Sequence, residues 1–232
     1  ENWTDVSGLL SADPRIVDGP DPITEVTYHE LRELAYLGAN VFHDEAVAPV
    51  ADANIPIQIR NTNEPDHPGT MITSGASAEP RPAGSRTGVA GKTGFTGVLV
   101  KRSMLSKISD LPAQLGSILG ASGMRMHHCA LGSDSALAIV ESAALDAAGD
   151  AVLNEIKKLF SADSVERSGP YALVGAVGTD LAVVPEVLGK VFAAFTAVEM
   201  PVRFVSSGYS RSSFIVAVDE DRSQEAIRQV YA

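Results

Sequence analysis

The stretch Met124-Arg-Met-His-His-Cys-Ala-Leu-Gly-Ser-Asp-Ser-Ala-Leu-Ala-Ile-Val140 decides the fold. It predicts two short strands joined by a polar turn at Gly132-Ser133-Asp134-Ser135. The same shape recurs, shifted by 78 residues, as Val202-Arg-Phe-Val-Ser-Ser-Gly-Tyr-Ser-Arg-Ser-Ser-Phe-Ile-Val-Ala-Val218. A helical pattern precedes each copy, LPAQLGSILGAS and PEVLGKVFAAFTAV. Another follows each, ALDAAGDAVLNEIKKLF and DRSQEAIRQVY. A strand stands before each set, FTGVLVKR and YALVGAV. Strand-helix-strand-strand-helix, twice over, is the order of a ferredoxin-like half-domain. The class expected is therefore α/β (α+β), with a duplicated sensor-like module. Its strand-to-helix turns are the natural ligand positions, because helix N-termini expose unpaired N–H groups.

The bulk numbers set limits on function. The chain has 232 residues, 45% hydrophobic and 20% charged, ordinary for a globular protein with room for one large domain or two to three small ones. Eighteen basic and 29 acidic residues give a formal net charge of −11. That argues against nucleic acid and anionic membrane as partners, since both need a basic face. The strands also lack an aromatic stacking platform for single-stranded nucleic acid. No apolar run is long enough to span a bilayer, and the opening residues show no signal-peptide pattern. The single cysteine, Cys129, has no internal disulfide partner. A cytoplasmic location is the expectation.

The first 73 residues read as α/β. Asp5-Val-Ser-Gly8 and Asp13-Pro-Arg15 are turn formers around Leu9-Leu10. Thr27 and Glu30 form a capping box opening a helix with Leu31, Leu34 and Leu37 on one face, ended by Gly38. A second helix is expected through Glu45 to Ala53. Ile55–Arg60 alternates as a strand, and Thr70–Ile72 is a closing strand. Residues 74–87, small, polar and rich in Pro and Gly, are expected to be a flexible linker.

These residues carry a family resemblance. TDVSGLLSADPRIV, then ITEVTYHELRELAYLGANVFHDEAVAPV, then NIPIQIRNTNEPDHPGTMI resemble, continuously from Thr4 to Ile72, the last third of the kinase domain of aspartokinases. That family phosphorylates the β-carboxylate of aspartate with ATP, the first step toward lysine, threonine and methionine. By the resemblance, Thr4 and Asp5 (at the adenosine) and Asp13 and Arg15 (near the phosphates) are nucleotide-binding. Asn40 replaces a Lys found in many members, and Leu10 an aromatic. The family's Lys-Phe-Gly-Gly-Thr and Ser-Gly-Glu motifs, which supply the charges phosphoryl transfer depends on, do not occur in this sequence. The expectation is a C-terminal fragment that is inactive alone. ATP with Mg2+ would be substrate of the complete enzyme and would bind this chain weakly.

From Gly88 onward the chain resembles the regulatory half of the same family, a tandem pair of ACT domains. The implied organisation is the kinase end at 1–73, the linker at 74–87, a first ACT domain at 88–168 and a second at 169–232. The strand at 88–94 would be shared with the second domain. The resemblance implies a homodimer through the ACT domains with an amino-acid effector, lysine more often than threonine. An amino-acid site needs N–H groups for the α-carboxylate and oxygens for the ammonium. The first module offers Met104, Ser106, Ser109, Asp110 and Leu111 around a helix start marked by Pro112. It also offers His127 on the neighbouring strand, and Ser133, Asp134 and Ser135 in the turn. Each Ser and Asp also serves ordinary turns and caps. No catalytic residue is assigned, and no metal, because His127 and Cys129 on one strand face are only two ligands. In the second module, Val187, Val191, Phe192 and Phe195 are expected core. The competing function class is a non-catalytic amino-acid-sensing regulatory subunit or dimerisation module.

Overall fold

The computed structural model describes residues 1–39, 49–75, 81–207 and 211–232. Asn40 and His43, most of the expected helix from Glu45, linker residues 76–80 and the turn at Gly208 lie outside the described residues. The chain separates into two compact units, residues 1–92 with 173–232, and residues 93–172.

The first unit opens with four strands, β1 (Asn2–Thr4), β2 (Leu9–Leu10), β3 (Pro22–Ile23) and β4 (Glu25–Thr27). Helix α1 (Tyr28–Tyr36) and strands β5 (Ile57–Asn61) and β6 (Thr70–Thr73) follow. A four-stranded sheet runs β1-β5-β6-β4, while β2 and β3 form a separate antiparallel ribbon. In the larger sheet β1 pairs parallel with β5, β5 antiparallel with β6, and β4 parallel with β6. The expected capping box is present: Glu30 N–H donates to Thr27 Oγ1 at 3.1 Å, and Thr27 N–H donates to Glu30 Oε2 at 2.9 Å. Leu31, Leu34 and Leu37 form the buried face, and Gly38, at φ +95°, ends the helix. The strand expected at Ile55–Arg60 begins two residues later, at Ile57.

The linker expectation needs correcting. Arg86 and Thr87 already belong to β7 (Arg86–Lys101). Upstream, Gly84 N–H donates to Thr179 O at 2.7 Å, and Thr179 N–H to Ser85 O at 2.9 Å. Arg81 pairs with the buried carboxylate of Glu30. Composition marked this segment as free, but an Arg that reaches a buried partner and a backbone that continues the pairing with the end of β10 (Ser164–Gly178) fix residues 81–87.

The remaining elements are α2 (Leu111–Ala121), β8 (His128–Leu131), β9 (Ser135–Glu141), α3 (Ser142–Ala148) and α4 (Asp150–Phe160). They continue with β10 (Ser164–Gly178), α5 (Pro185–Ala197), β11 (Phe204–Ser207), β12 (Ser213–Asp219) and α6 (Ser223–Tyr231). In the second unit the strand order is β8-β9-β7, all antiparallel, with Phe95 opposite Glu141 and Lys101 opposite Ser135. Its core joins Val98, Val100, Ala138 and Val140 of the sheet to Leu115 and Leu119 of α2 and Val152, Ile156 and Phe160 of α4. The pattern ALDAAGDAVLNEIKKLF makes two helices, not one. Gly149, at φ +65° and ψ −164°, separates them.

In the first unit, β11 pairs antiparallel with β12, and the sheet continues through β10 to the start of β7. Helix α1 packs on this sheet. Its His29 Nε2 lies 2.8 Å from Ser212 Oγ, and Ser213 Oγ donates to Glu33 Oε2 at 2.7 Å. A Cβ on Gly175 would sit 3.0 Å from Leu37 Cδ1 and 2.5 Å from Phe214 O, so glycine is what lets helix and strands approach. On α5, Val191 and Phe195 are buried as expected, but Phe192 is exposed, one position around the helix from the apolar stripe.

Candidate functional site

Two places in the molecule gather the residues singled out by sequence. The first is the turn of the second unit. Backbone pairing brings the segment after β7 against the β8–β9 turn: Arg102 N–H donates to Asp134 O and Ser106 N–H to Ser133 O, both at 3.0 Å. Asp134 Oδ1 accepts from Met104 N–H at 2.8 Å and from Ser133 Oγ at 3.2 Å. Met104 sits at φ +55°, a left-handed conformation whose cost the Asp134 carboxylate offsets. A 3-10 turn, Leu105–Lys107, then leads to α2.

The N-cap of α2 is Asp110, also left-handed at φ +58°, and its side chain makes no capping bond. The expectation that Ser109 or Asp110 caps through its side chain therefore fails. The first-turn N–H groups of α2 are left with no side-chain cap, the condition an anionic ligand group needs. Leu111 is 3% exposed and joins the core, so only its backbone faces such a role. Met104, Ser106, Ser109, Asp110, Ser133 and Asp134 are exposed, and Ser135 opens β9 opposite Lys101.

His127 stands apart from that turn. It precedes β8, at the end remote from Ser133, where its N–H donates to Ile139 O at 2.8 Å. Its ring meets Phe95 edge-on at 5.1 Å, and Nε2 lies 3.6 Å from Glu141 Oε1. Burial, and then the neighbouring His127 charge, push the His128 imidazole below its ordinary value, and burial pushes the Cys129 thiol up. Both shifts hold these side chains neutral. Among the described residues, no group of three or more His, Cys, Asp or Glu is placed to hold a metal ion. No helix among them is long and apolar enough to cross a membrane.

The second place is a cavity of about 650 Å³ in the first unit. Thr4, Asp5, Asp13 and Arg15 all line it. The chain folds this way for local reasons. Gly8, at φ +110°, is a position where a Cβ would lie 2.6 Å from Thr70 Oγ1. Leu9 N–H donates to that same hydroxyl at 2.8 Å. Asn61 Nδ2 donates to Ser7 Oγ at 2.7 Å, and Thr62 N–H to Thr4 O at 2.8 Å, fixing the loop that carries Thr4 and Asp5. Asp13 receives the Arg15 N–H at 2.9 Å and its guanidinium at 2.6 Å. The Arg15 guanidinium holds the Asp13 carboxyl below the usual range, and Asp13 in turn raises Arg15. The Arg15 side chain is 87% exposed, so its charge stays accessible from the cavity mouth. Sequence reasoning missed the far wall: Leu34 of α1, Val89, Ala90 and Gly91 of β7, and Ile227 of α6. A small-residue run in a strand was the one available signal, and it does not say what the strand approaches.

Comparison with known proteins fits this arrangement. Residues 1–61 match the amino acid kinase family, and residues 174–232 match an ACT domain. The two ends of the chain are thus similar to an amino-acid-kinase segment and to an ACT domain. Aspartokinase 3 of Bacillus subtilis (strain 168) is 31% identical over 232 residues, covering 100% of this chain and 50% of that protein. The crystal structure of the allosteric aspartate kinase of Clostridium acetobutylicum superposes with a TM-score of 0.92 at 40% identity, covering 99% of this chain and 53% of that one. Escherichia coli aspartokinase III in complex with lysine and aspartate shares the fold at a TM-score of 0.77 and 21% identity, covering 99% and 50%. The chain corresponds to the C-terminal half of aspartokinases and spans about half the length of the curated relatives it matches.

Proposed function

We propose that this chain is the regulatory portion of an aspartate kinase. The complete polypeptide would convert ATP and L-aspartate to 4-phospho-L-aspartate, and this part would bind a feedback amino acid and dimerise through its ACT domains. The observation that carries the effector reading is the start of α2 together with the Asp134 turn: N–H groups at Leu111 and Ala113 with no side-chain cap for a carboxylate, and the oxygens of the exposed Ser133 and Asp134 for an ammonium, in one module. The Ser109 hydroxyl and the backbone N–H groups of Asp110 and Leu111 would receive the carboxylate end. Met104, Ser106, Ser133, Asp134 and Ser135 would line the remainder. His127, remote from the turn, would act at a second copy's surface or through Glu141. Lysine stands ahead of threonine by the resemblance to aspartokinases, and the exposed Asp134 carboxylate would suit a cationic group.

The mechanism is a population shift. An amino acid that binds the dimeric ACT arrangement better in the inactive state favours that state by its differential affinity. For the kinase part, Thr4 and Asp5 would meet the adenosine of ATP, and Asp13 and Arg15 would lie near its Mg2+-bound phosphates, in the cavity where they already stand together. That cavity falls within the size range of small-molecule sites, about 300–1,000 Å³. Phosphoryl transfer depends on more charges than these four residues supply. ATP is therefore expected to bind this chain only weakly, and tight binding in a calorimetric titration would contradict the assignment.

Calorimetric titration with lysine, and separately with threonine, at two protein concentrations tests the effector reading. Saturable lysine binding that strengthens with dimer formation is the expected result. Asp134→Asn should weaken it about tenfold, the loss of one charge-assisted bond. Absence of saturable binding by either amino acid would overturn the sensor assignment.

A further inference from the structure

The side chain of Tyr231, on α6, reaches the segment that carries Asp13 and Arg15. Its hydroxyl lies 2.9 Å from Ser11 Oγ, accepts from Asp21 N–H at 2.9 Å and stands 3.3 Å from Asp21 Oδ2. One phenol has a single proton and two lone pairs, so these three contacts use its full capacity: two accepted bonds and one donated to the carboxylate. The ring lies under the Arg86 guanidinium at 3.9 Å, and Arg86 also binds Tyr231 O and approaches Asp21 Oδ2 at 3.8 Å. Ser11 is 6% exposed, and its own backbone is tied to Asp21 O at 2.9 Å and, through Val89 N–H, to β7 at 2.7 Å.

We propose that Tyr231 is a positioning residue: through Ser11 and Asp21 it sets the place of the Asp13–Arg15 turn at the cavity, and so ties that turn to the ACT-type sheet. Helix geometry supports the assignment. Ile227 and Tyr231 are four residues apart and share a face. Ile227 lines the cavity and presses on Gly91, where a Cβ would lie 2.9 Å from its Cδ1. The helix is therefore seated on β7 at one height, and a shift of α6 along that strand carries the Ser11–Asp21 segment with it. The functional consequence, though not the positioning, rests on the reading of the cavity as the nucleotide side of the kinase.

The test uses this chain and two readouts. Tyr231→Phe keeps the ring beneath Arg86 and deletes the three polar contacts. Amide hydrogen exchange at residues 12–17 should accelerate by about tenfold or more, while amides of α1 and β12 keep their protection. Unchanged exchange at 12–17, or the same acceleration throughout the first unit, would overturn the proposal. NMR titration with ATP, read at the amides of residues 12–16 and the Arg15 side chain, supplies the second arm. Wild type should show shifts that saturate weakly, with Tyr231→Phe needing several times more ATP for the same shift. Equal titration curves would overturn the functional consequence. If ATP moves no cavity amide even in wild type, it is the nucleotide reading that fails, and the exchange result alone judges Tyr231.

Discussion

Glu30 is 3% exposed, and its carboxylate is satisfied from three directions. Thr87 Oγ1 donates to it at 2.7 Å, Thr27 donates from its backbone and its hydroxyl at 2.9 Å each, and Arg81 completes an ion pair. Burial alone would raise its pKa. The Thr87 and Thr27 hydrogen bonds and the Arg81 charge outweigh burial, and the carboxyl is held below its ordinary value. A depressed carboxyl contributes stability that is fully present above its unfolded pKa and is lost as pH falls through the lower folded one. Glu30→Gln should therefore cost about 1–3 kcal/mol at neutral pH, the scale of a buried charged hydrogen-bonding group. It should also flatten the loss of stability through and below the carboxylate range. Urea unfolding at several pH values checks this; a variant with the wild-type pH dependence would refute it. The Thr27–Glu30 half of this cluster was visible in the sequence as a capping box. The Arg81 half was hidden, because the partner of a long side chain 51 residues away is set by tertiary structure alone.

At the scale of elements, glycines decide where the helices and strands break or touch, and for two different reasons. Among the described residues beyond its own chain neighbours, no heavy atom lies within 4 Å of a Cβ added to Gly149, yet its φ of +65° with ψ of −164° is a backbone region other residues enter only at a cost. Gly149→Ala should destabilise the second unit by about 1–3 kcal/mol through backbone strain alone. Gly175 is the converse case, with no positive φ but a neighbour, Phe214 O, 2.5 Å from the added Cβ. Gly175→Ala should destabilise the first unit by a similar amount, about 1–3 kcal/mol, through overpacking. Residue-resolved hydrogen exchange in mild denaturant separates the two, since each variant should loosen its own unit; the opposite assignment would refute both arguments. The strand and helix order of both modules was legible from periodicity, because apolar alternation and helical stripes are local. The break at Gly149 was not, since glycine within a helical pattern is often tolerated. Phe192 was misplaced for a related reason: a stripe read from apolar residues alone does not exclude one that points to solvent.

At the scale of the molecule, the candidate sites were legible to different degrees. The four nucleotide-side residues, quoted from two short turns, line one cavity. Of the nine effector-side residues, Met104, Ser106, Ser133 and Asp134 are bonded together, Ser109–Leu111 mark an uncapped helix start, and His127 lies at the other end of its strand. Period-two reasoning gives the face of a strand but not which end of it meets a site. The contribution of β7 and α6 to the cavity wall was illegible, since it joins residues more than 70 and 210 positions from the turns they approach. Helix α1, of the amino-acid-kinase segment, rests on the β12 strand of the ACT-type sheet through His29, Glu33 and Leu37. Leu37→Ala should cost about 2–5 kcal/mol, because that side chain is 1% exposed and fills the space over Gly175. A denaturation midpoint unchanged in that variant would argue against this packing.

The first unit is also discontinuous along the chain, residues 1–92 closing with 173–232, while the second occupies the uninterrupted run 93–172. During synthesis that order becomes time. The second unit is complete as soon as its own residues clear the ribosome, whereas α1 must wait for β10 and β12 before Leu37 has Gly175 and its neighbours to cover. At roughly 5–20 residues per second, the wait lasts on the order of several seconds to half a minute. Through that interval the Leu37 side of α1 lacks the strand over which it comes to lie.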